Sequence, residues 1–179
     1  MRTLLLALSL LTVGGSLQGQ ATTPPPPPAK AEDVSSIDNI MKAVYDVISG
    51  PAGQKRDWDR MRSLFIPGAR LIPTGRGQDG KSGARVWSLE EYITRAGPGL
   101  EQGGFFEREL GRVEERYGNI VHLMSAYDSK RTAADEKPFA RGVNSFQLMY
   151  DGSRWWVVTI FWQGEDEKNP LPAKYLPGG

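Results

Sequence analysis

The sequence predicts an α+β domain, with helices first and an antiparallel sheet after them. Three observations carry that expectation. Apolar residues repeat at helical spacing in the first half. From Phe105 onward the period changes to that of strands. Glycine turns then separate the strand-like runs.

Each element has its own signal. Ser35 and Ser36 are candidate N-caps, and Asp38 falls in the first turn they open. Ile37, Ile40, Met41, Val44, Tyr45 and Ile48 then form one apolar stripe, and Gly50-Pro51 stops the helix. Asp57 caps a second helix with Trp58, Met61, Leu64 and Phe65 inside, ended by Pro67-Gly68. Residues 69–73 read as a short strand. Ser88 followed by Glu91 is a capping box opening a helix with Leu89, Tyr92 and Ile93, and Gly97-Pro98-Gly99 should close it. Strands are expected over 105–116, 119–128, 141–150 and 155–163, with turns at Tyr117-Gly118 and Asp151-Gly152.

The N-terminus reads as an address. One arginine precedes an apolar run from Leu4 to Val13, which is too short to span a bilayer. Gly19 and Ala21 fit a small-x-small cleavage site, so residues 1–21 are expected to be a signal peptide, placing the protein in the periplasm or outside the cell. Residues 22–33, with five consecutive prolines, are expected to be a stiff linker. The domain should then occupy 34–165, with a loose tail over 166–179.

Composition narrows the chemistry. Of 179 residues, Lys plus Arg number 22 and Asp plus Glu 21, a net charge of +1 that offers no basic field to nucleic acid or a membrane surface. There is no cysteine, which excludes disulfides, thiolate catalysis, cysteine-bound metal and a lipoprotein anchor. No metal and no cofactor is expected. His122 is the single histidine, so any Ser–His–Asp arrangement has to run through it.

Four passages carry a family resemblance: Phe105-Phe106-Glu107-Arg108-Glu109, 116–122 with its Tyr117-Gly118 turn, Arg141-Gly142-Val143-Asn144-Ser145, and the Asp151-Gly152 turn followed by Trp155-Trp156-Val157-Val158. Together with Phe65-Ile66-Pro67-Gly68-Ala69 in the helical half, they resemble the nuclear transport factor 2-like (SnoaL-like) family over roughly residues 37–163. The resemblance implies a cone-shaped domain, a bent sheet wrapped on helices with an apolar cavity at the wide end, and frequent dimers. Family members include isomerase-like, dehydratase-like and hydrolase-like enzymes as well as plain binding modules, so the fold fixes little of the function. No family catalytic motif transfers onto a position here.

Gly75-Arg76-Gly77-Gln78-Asp79-Gly80-Lys81-Ser82 matches a phosphate-binding loop literally. Gly83 and the new cap at Ser88 leave no room for the helix such a loop needs, so a hairpin loop is expected. Leu148-Met149-Tyr150-Asp151 imitates its acidic partner strand, but Asp151 reads as a turn residue.

With simple two-residue turns, His122 shares a face with Glu107, Glu109, Ser145, Gln147 and Trp162. That face would suit a pocket in which His122 acts as a base oriented by Glu109 or Gln147, with His122, Ser145, Gln147 and Trp162 binding a ligand. The opposite face, with Arg108, Arg112, Ser125, Tyr127, Asn144 and Thr159, is an equally legitimate lining, represented by Tyr127 and Asn144. The plain reading of His122 is a cross-strand hydrogen bond. Both faces of the last strand are apolar, so a second subunit or Leu171, Tyr175 and Leu176 of the tail should cover the outer one. The leading expectation is a homodimeric binding or interaction module with a small hydrophobic ligand. The alternatives are a lyase, isomerase or hydrolase using His122, and a purely structural dimerisation module.

Overall fold

A computed structural model of the protein describes residues 25–77, 79–176 and 178. The expected signal peptide and its cleavage site at Ala21 lie outside the described residues. Four helices, α1 (Ala31–Val34), α2 (Ile37–Ile48), α3 (Trp58–Leu64) and α4 (Leu89–Gly103), pack on one sheet. Its strands are β1 (Phe65–Arg76), β2 (Ser82–Ala84), β3 (Trp87–Ser88), β4 (Phe106–Tyr117), β5 (Ile120–Lys130), β6 (Ala140–Tyr150) and β7 (Trp155–Gly164). The strand order is β2-β1-β7-β6-β5-β4, with β3 beside β1.

The caps act as the sequence predicts. Ser36 Oγ accepts from Asn39 N, Asp57 from Arg60 N, and Ser88 and Glu91 close a reciprocal capping box. The α2 stripe supplies much of the core: Ile40, Met41 and Val44 are buried against Leu64, Phe65, Leu71, Leu123, Phe146 and Val157. The meander β4 to β7 is antiparallel, and β1 adds a parallel pairing to β7, with Leu71 opposite Ile160. The sheet is therefore mixed, where an all-antiparallel one was expected.

Other departures have local causes. Helix α4 runs through Gly97-Pro98-Gly99 to Gly103, past its expected stop. Tertiary contacts hold that last stretch. A Cβ on Gly97 would lie 3.1 Å from the Trp58 ring, and Glu101 accepts hydrogen bonds from Lys55 Nζ, Arg56 N and Trp58 Nε1. Strand β1 begins at Phe65 and absorbs Pro67-Gly68 as an irregularity between Phe65 and Arg70. Order begins before the expected boundary at Val34: α1 lies partly in the linker segment, and Asp33 accepts two hydrogen bonds from Arg60. The tail is also packed, with a short 3-10 helix at Ala173–Tyr175 against β4 and β5.

The phosphate-loop lookalike is the β1–β2 hairpin. Arg76 pairs with Ser82, Gly77 N donates to Lys81 O, and no helix follows Lys81. Asp151 Oδ1 holds the β6–β7 turn by accepting from Ser153 N and Arg154 N, while its Oδ2 accepts from Trp156 Nε1. Those donors keep its carboxyl well below the usual carboxylate range. No helix of the described residues is long and apolar enough to cross a membrane.

Candidate functional site

Two β-bulges decide which residues meet. Residues opposite one another in a ladder share a face, and an extra residue switches the parity downstream. In β4 the register shifts between Glu109 and Gly111. Before that bulge Glu107 faces with Ser129 and Glu109 with Tyr127. After it, Arg112 faces with Ser125 and Glu115 with His122. In β7 a second shift leaves Leu148 opposite Val157 but Gln147 opposite Thr159 and Asn144 opposite Trp162. Glu107, Glu109 and Trp162 are thus on the helix side of the sheet, with Tyr127 and Asn144. His122, Ser145, Gln147 and Thr159 are on the other side. The grouping of His122 with Glu109 and Trp162 is corrected accordingly, and so is the placing of Thr159 with Tyr127.

On the outer side, His122 Nε2 lies 2.9 Å from Ser145 Oγ, and its Nδ1 lies 4.0 Å from Glu115 Oε2. Gln147 is its exposed cross-strand neighbour. Glu109 does not orient it. Glu109 instead accepts from Ser125 Oγ at 2.7 Å and from Arg112 at 2.8 Å. The histidine makes the cross-strand contact of its plain reading, and it is not among the residues that wall the inner cavity.

The inner side holds a cavity of about 110 Å³. It is walled by Val44, Tyr45 and Ile48 of α2, Met61, Leu71, Tyr92 of α4, Phe105, Glu107, Tyr127, Asn144, Phe146, Ile160 and Trp162. The walls are apolar and largely aromatic. Tyr92 meets Trp162 edge-on with ring centres 6.3 Å apart, and Tyr45 meets Phe146 at 6.2 Å. Position 142 permits this shape only as glycine: it lies opposite Tyr127, and a Cβ there would come within 2.5 Å of the Tyr127 hydroxyl.

Glu107 supplies the cavity's acid. Its backbone N–H donates to Ser49 Oγ at the C-terminus of α2, which fixes where β4 starts against that helix. Ser129 Oγ donates to one carboxyl oxygen at 2.8 Å, and Asn144 Nδ2 approaches the other at 3.4 Å. Burial pushes the carboxyl up to about 7. The two hydrogen bonds oppose this, and the neighbouring Asp128 adds to it. Asn144 also donates to Tyr45 Oη at 3.1 Å, and Tyr45 Oη sits 2.8 Å from Ser125 Oγ. Since Ser125 already donates to Glu109, the tyrosine must donate to Ser125. A directed chain of hydrogen bonds therefore joins Glu107, Asn144, Tyr45, Ser125, Glu109 and Arg112 across the inner face. Burial pushes the Tyr45, Tyr92 and Tyr127 phenols up, and the Glu107 charge adds to this, so all three stay neutral at physiological pH. Among the described residues, no fully buried side-chain nitrogen or oxygen lacks a hydrogen-bond partner. No three His, Asp or Glu side chains there converge as metal ligands would.

Sequence reasoning placed Tyr127 and Asn144 on one face and Trp162 on the other, and left Tyr45 and Tyr92 as core stripe residues. The sequence sets Glu107 beside His122 and in a family-like passage, and gives no sign that it enters a cavity. Gly111, a glycine inside a strand pattern, is the signal that marks the first bulge. The β7 bulge falls at Val158-Thr159, residues that carry no such mark.

No protein-family model matches the chain, and no curated protein matches it. Solved structures do. A nuclear transport factor 2-like protein of unknown function from Silicibacter pomeroyi DSS-3 superposes with a TM-score of 0.50 at 11% identity, over 73% of this chain and 94% of that one. One from Shewanella baltica OS155 gives 0.46 at 16% identity, over 73% and 92%. A nuclear transport factor 2-like superfamily protein from Salmonella enterica serovar Typhimurium LT2 gives 0.46 at 15% identity, over 73% and 87%. The chain has the nuclear transport factor 2-like fold: helices packed on a curved mixed sheet.

Proposed function

We propose that this protein is a small-molecule-binding module whose ligand occupies the cavity between α2, α4 and the sheet. The observation that supports it most is a half-buried carboxyl set among the aromatic walls of a cavity that no cationic side chain lines. The volume, near the roughly 150 Å³ of a cavity that takes benzene, suits a ligand of about that size and excludes a polycyclic one. The test is a two-dimensional amide NMR titration with small single-ring and branched-chain compounds. Shifts should cluster on Tyr45, Tyr92, Glu107 and Asn144. Shifts confined to the His122 face would overturn the assignment.

A second reading is catalytic. A carboxyl near pH 7 suits proton transfer, so an isomerase, lyase or hydrolase activity would depend on Glu107 and survive His122→Ala. Turnover abolished by His122→Ala alone would refute that version. We also propose that two copies pair through the outer sheet face, where Phe161 remains 44% exposed despite the packed tail. Light scattering should show a dimer that Phe161→Asp dissociates. Export is likewise a proposal, supported by the reading of residues 1–21. Sequencing the N-terminus of protein from the periplasm or medium should find Thr22 first, and a retained Met1 would reject it.

A further inference from the structure

Resting on that binding reading, we infer that the cavity's ligand is a small organic ammonium, held against the Glu107 carboxylate inside the ring of aromatic faces. Charge is the first argument. Glu107 is the one charged side chain among the cavity's lining residues, and no Lys, Arg or His joins it there. The other charges nearby are already answered. Asp128 accepts both hydrogen bonds of Arg108, and Glu109 is paired with Arg112. Inside the cavity Glu107 has no cationic side chain beside it; Lys42, Arg108 and Arg112 share only the cleft on its other side, each paired with another carboxylate. Once ionised, Glu107 would repel an anion, and a neutral ligand would leave it uncompensated.

The walls favour the same ligand. Tyr45, Tyr92, Phe105, Tyr127, Phe146 and Trp162 all line this one small space. Aromatic faces carry negative electrostatic potential and attract a desolvated ammonium much more than an isosteric neutral group. The polar atoms of the walls agree as well. The Tyr92 and Tyr127 hydroxyl oxygens can accept from an ammonium N–H, as can the carboxylate itself.

The pH dependence follows from the groups that face Glu107. Tyr45 of α2, Tyr92 of α4 and Tyr127 of β5 stay neutral below pH 9, while Asp128 of β5 is paired with Arg108 of β4, Glu109 with Arg112 of β4, and Asp46 with Lys42 of α2. Glu107 is then the group near the cavity that changes charge around neutrality, and only its ionised form pairs with a cation. Affinity for an ammonium should rise about tenfold from pH 6 to pH 8, because the ionised fraction rises by that factor about a midpoint near 7.

The experiment compares three probes of one shape on the full chain: tert-butylammonium, tert-butanol and pivalate. Each is titrated by amide NMR at pH 6 and pH 8, against wild type, Glu107→Gln and the outer-face control His122→Ala. We expect tert-butylammonium to shift cavity residues, to bind about tenfold tighter at pH 8, to lose at least about tenfold in Glu107→Gln, and to be unaffected by His122→Ala. If tert-butanol binds in the cavity as tightly as the ammonium, or if ammonium binding ignores pH, the cation assignment is overturned while the cavity reading stands. If pivalate alone binds there, the sign of the site is wrong. If no probe shifts the cavity residues, the binding reading fails with it. The wild-type pH comparison needs no variant, so a poorly folding Glu107→Gln would not rescue the inference.

Discussion

Replacing Glu107 with Gln should change how stability depends on pH more than it changes stability itself. An acid whose folded-state pKa is raised stabilises the fold fully below its ordinary value and loses that contribution as pH rises through the raised one. For Glu107 the window runs from 4.5 to about 7. Each pH unit in that window costs about 1.4 kcal/mol, so the ionised carboxylate destabilises the fold by up to about 3 kcal/mol at pH 8. Gln keeps the shape and can still accept from Ser129 Oγ, now 2.8 Å from the carboxyl. Urea unfolding of both proteins from pH 4.5 to pH 8.5 checks this. The stability difference should move toward the variant by up to about 3 kcal/mol, or about 1.5 M in midpoint at an m-value near 2 kcal/mol/M. A difference that stays flat with pH would refute the reasoning, since both proteins share every other titrating group.

Gly142→Ala should destabilise by about 1–3 kcal/mol in thermal or urea unfolding and weaken cavity binding, because its methyl would overlap the Tyr127 hydroxyl and the Gln163 carbonyl. Arg56→Met should cost about 3 kcal/mol or more in the same assay. The Arg56 guanidinium is buried and donates to the Ile48, Gly50, Gln54 and Leu100 carbonyls, which tie α2 to α4 and would be left unpaired. His122→Ala should change stability by less than about 1 kcal/mol, since it removes a half-exposed contact to Ser145, and should leave amide shifts around the cavity in place.

Much of the fold was legible because it rests on local chemistry. The Ser36, Asp57 and Ser88 caps, the α2 stripe and the glycine turns are set by residues within a few positions of each other. Non-local features were not legible. The α4 extension past Pro98 depends on Trp58 and Arg56, far away in the chain, and the β1–β7 pairing joins segments with five strands between them. The site suffered most, because its face assignment assumed unbroken alternation along β4 and β7. One extra residue in each strand carried Glu107, Glu109 and Trp162 away from His122 and into the company of Tyr127 and Asn144. A single histidine draws attention in a sequence. A glutamate followed four residues later by a mid-strand glycine does not, although here it is the one turned into the cavity.

The central claim is that the functional centre lies on the helix side of the sheet, at a carboxyl desolvated by aromatic walls. A pH titration of the Glu107 side-chain carboxyl by carbon-13 NMR, assigned with Glu107→Gln, tests it most directly. The expected midpoint is near 7, moving down when an ammonium probe is bound. A midpoint near 4.5 would mean a solvated carboxylate, and would contradict it.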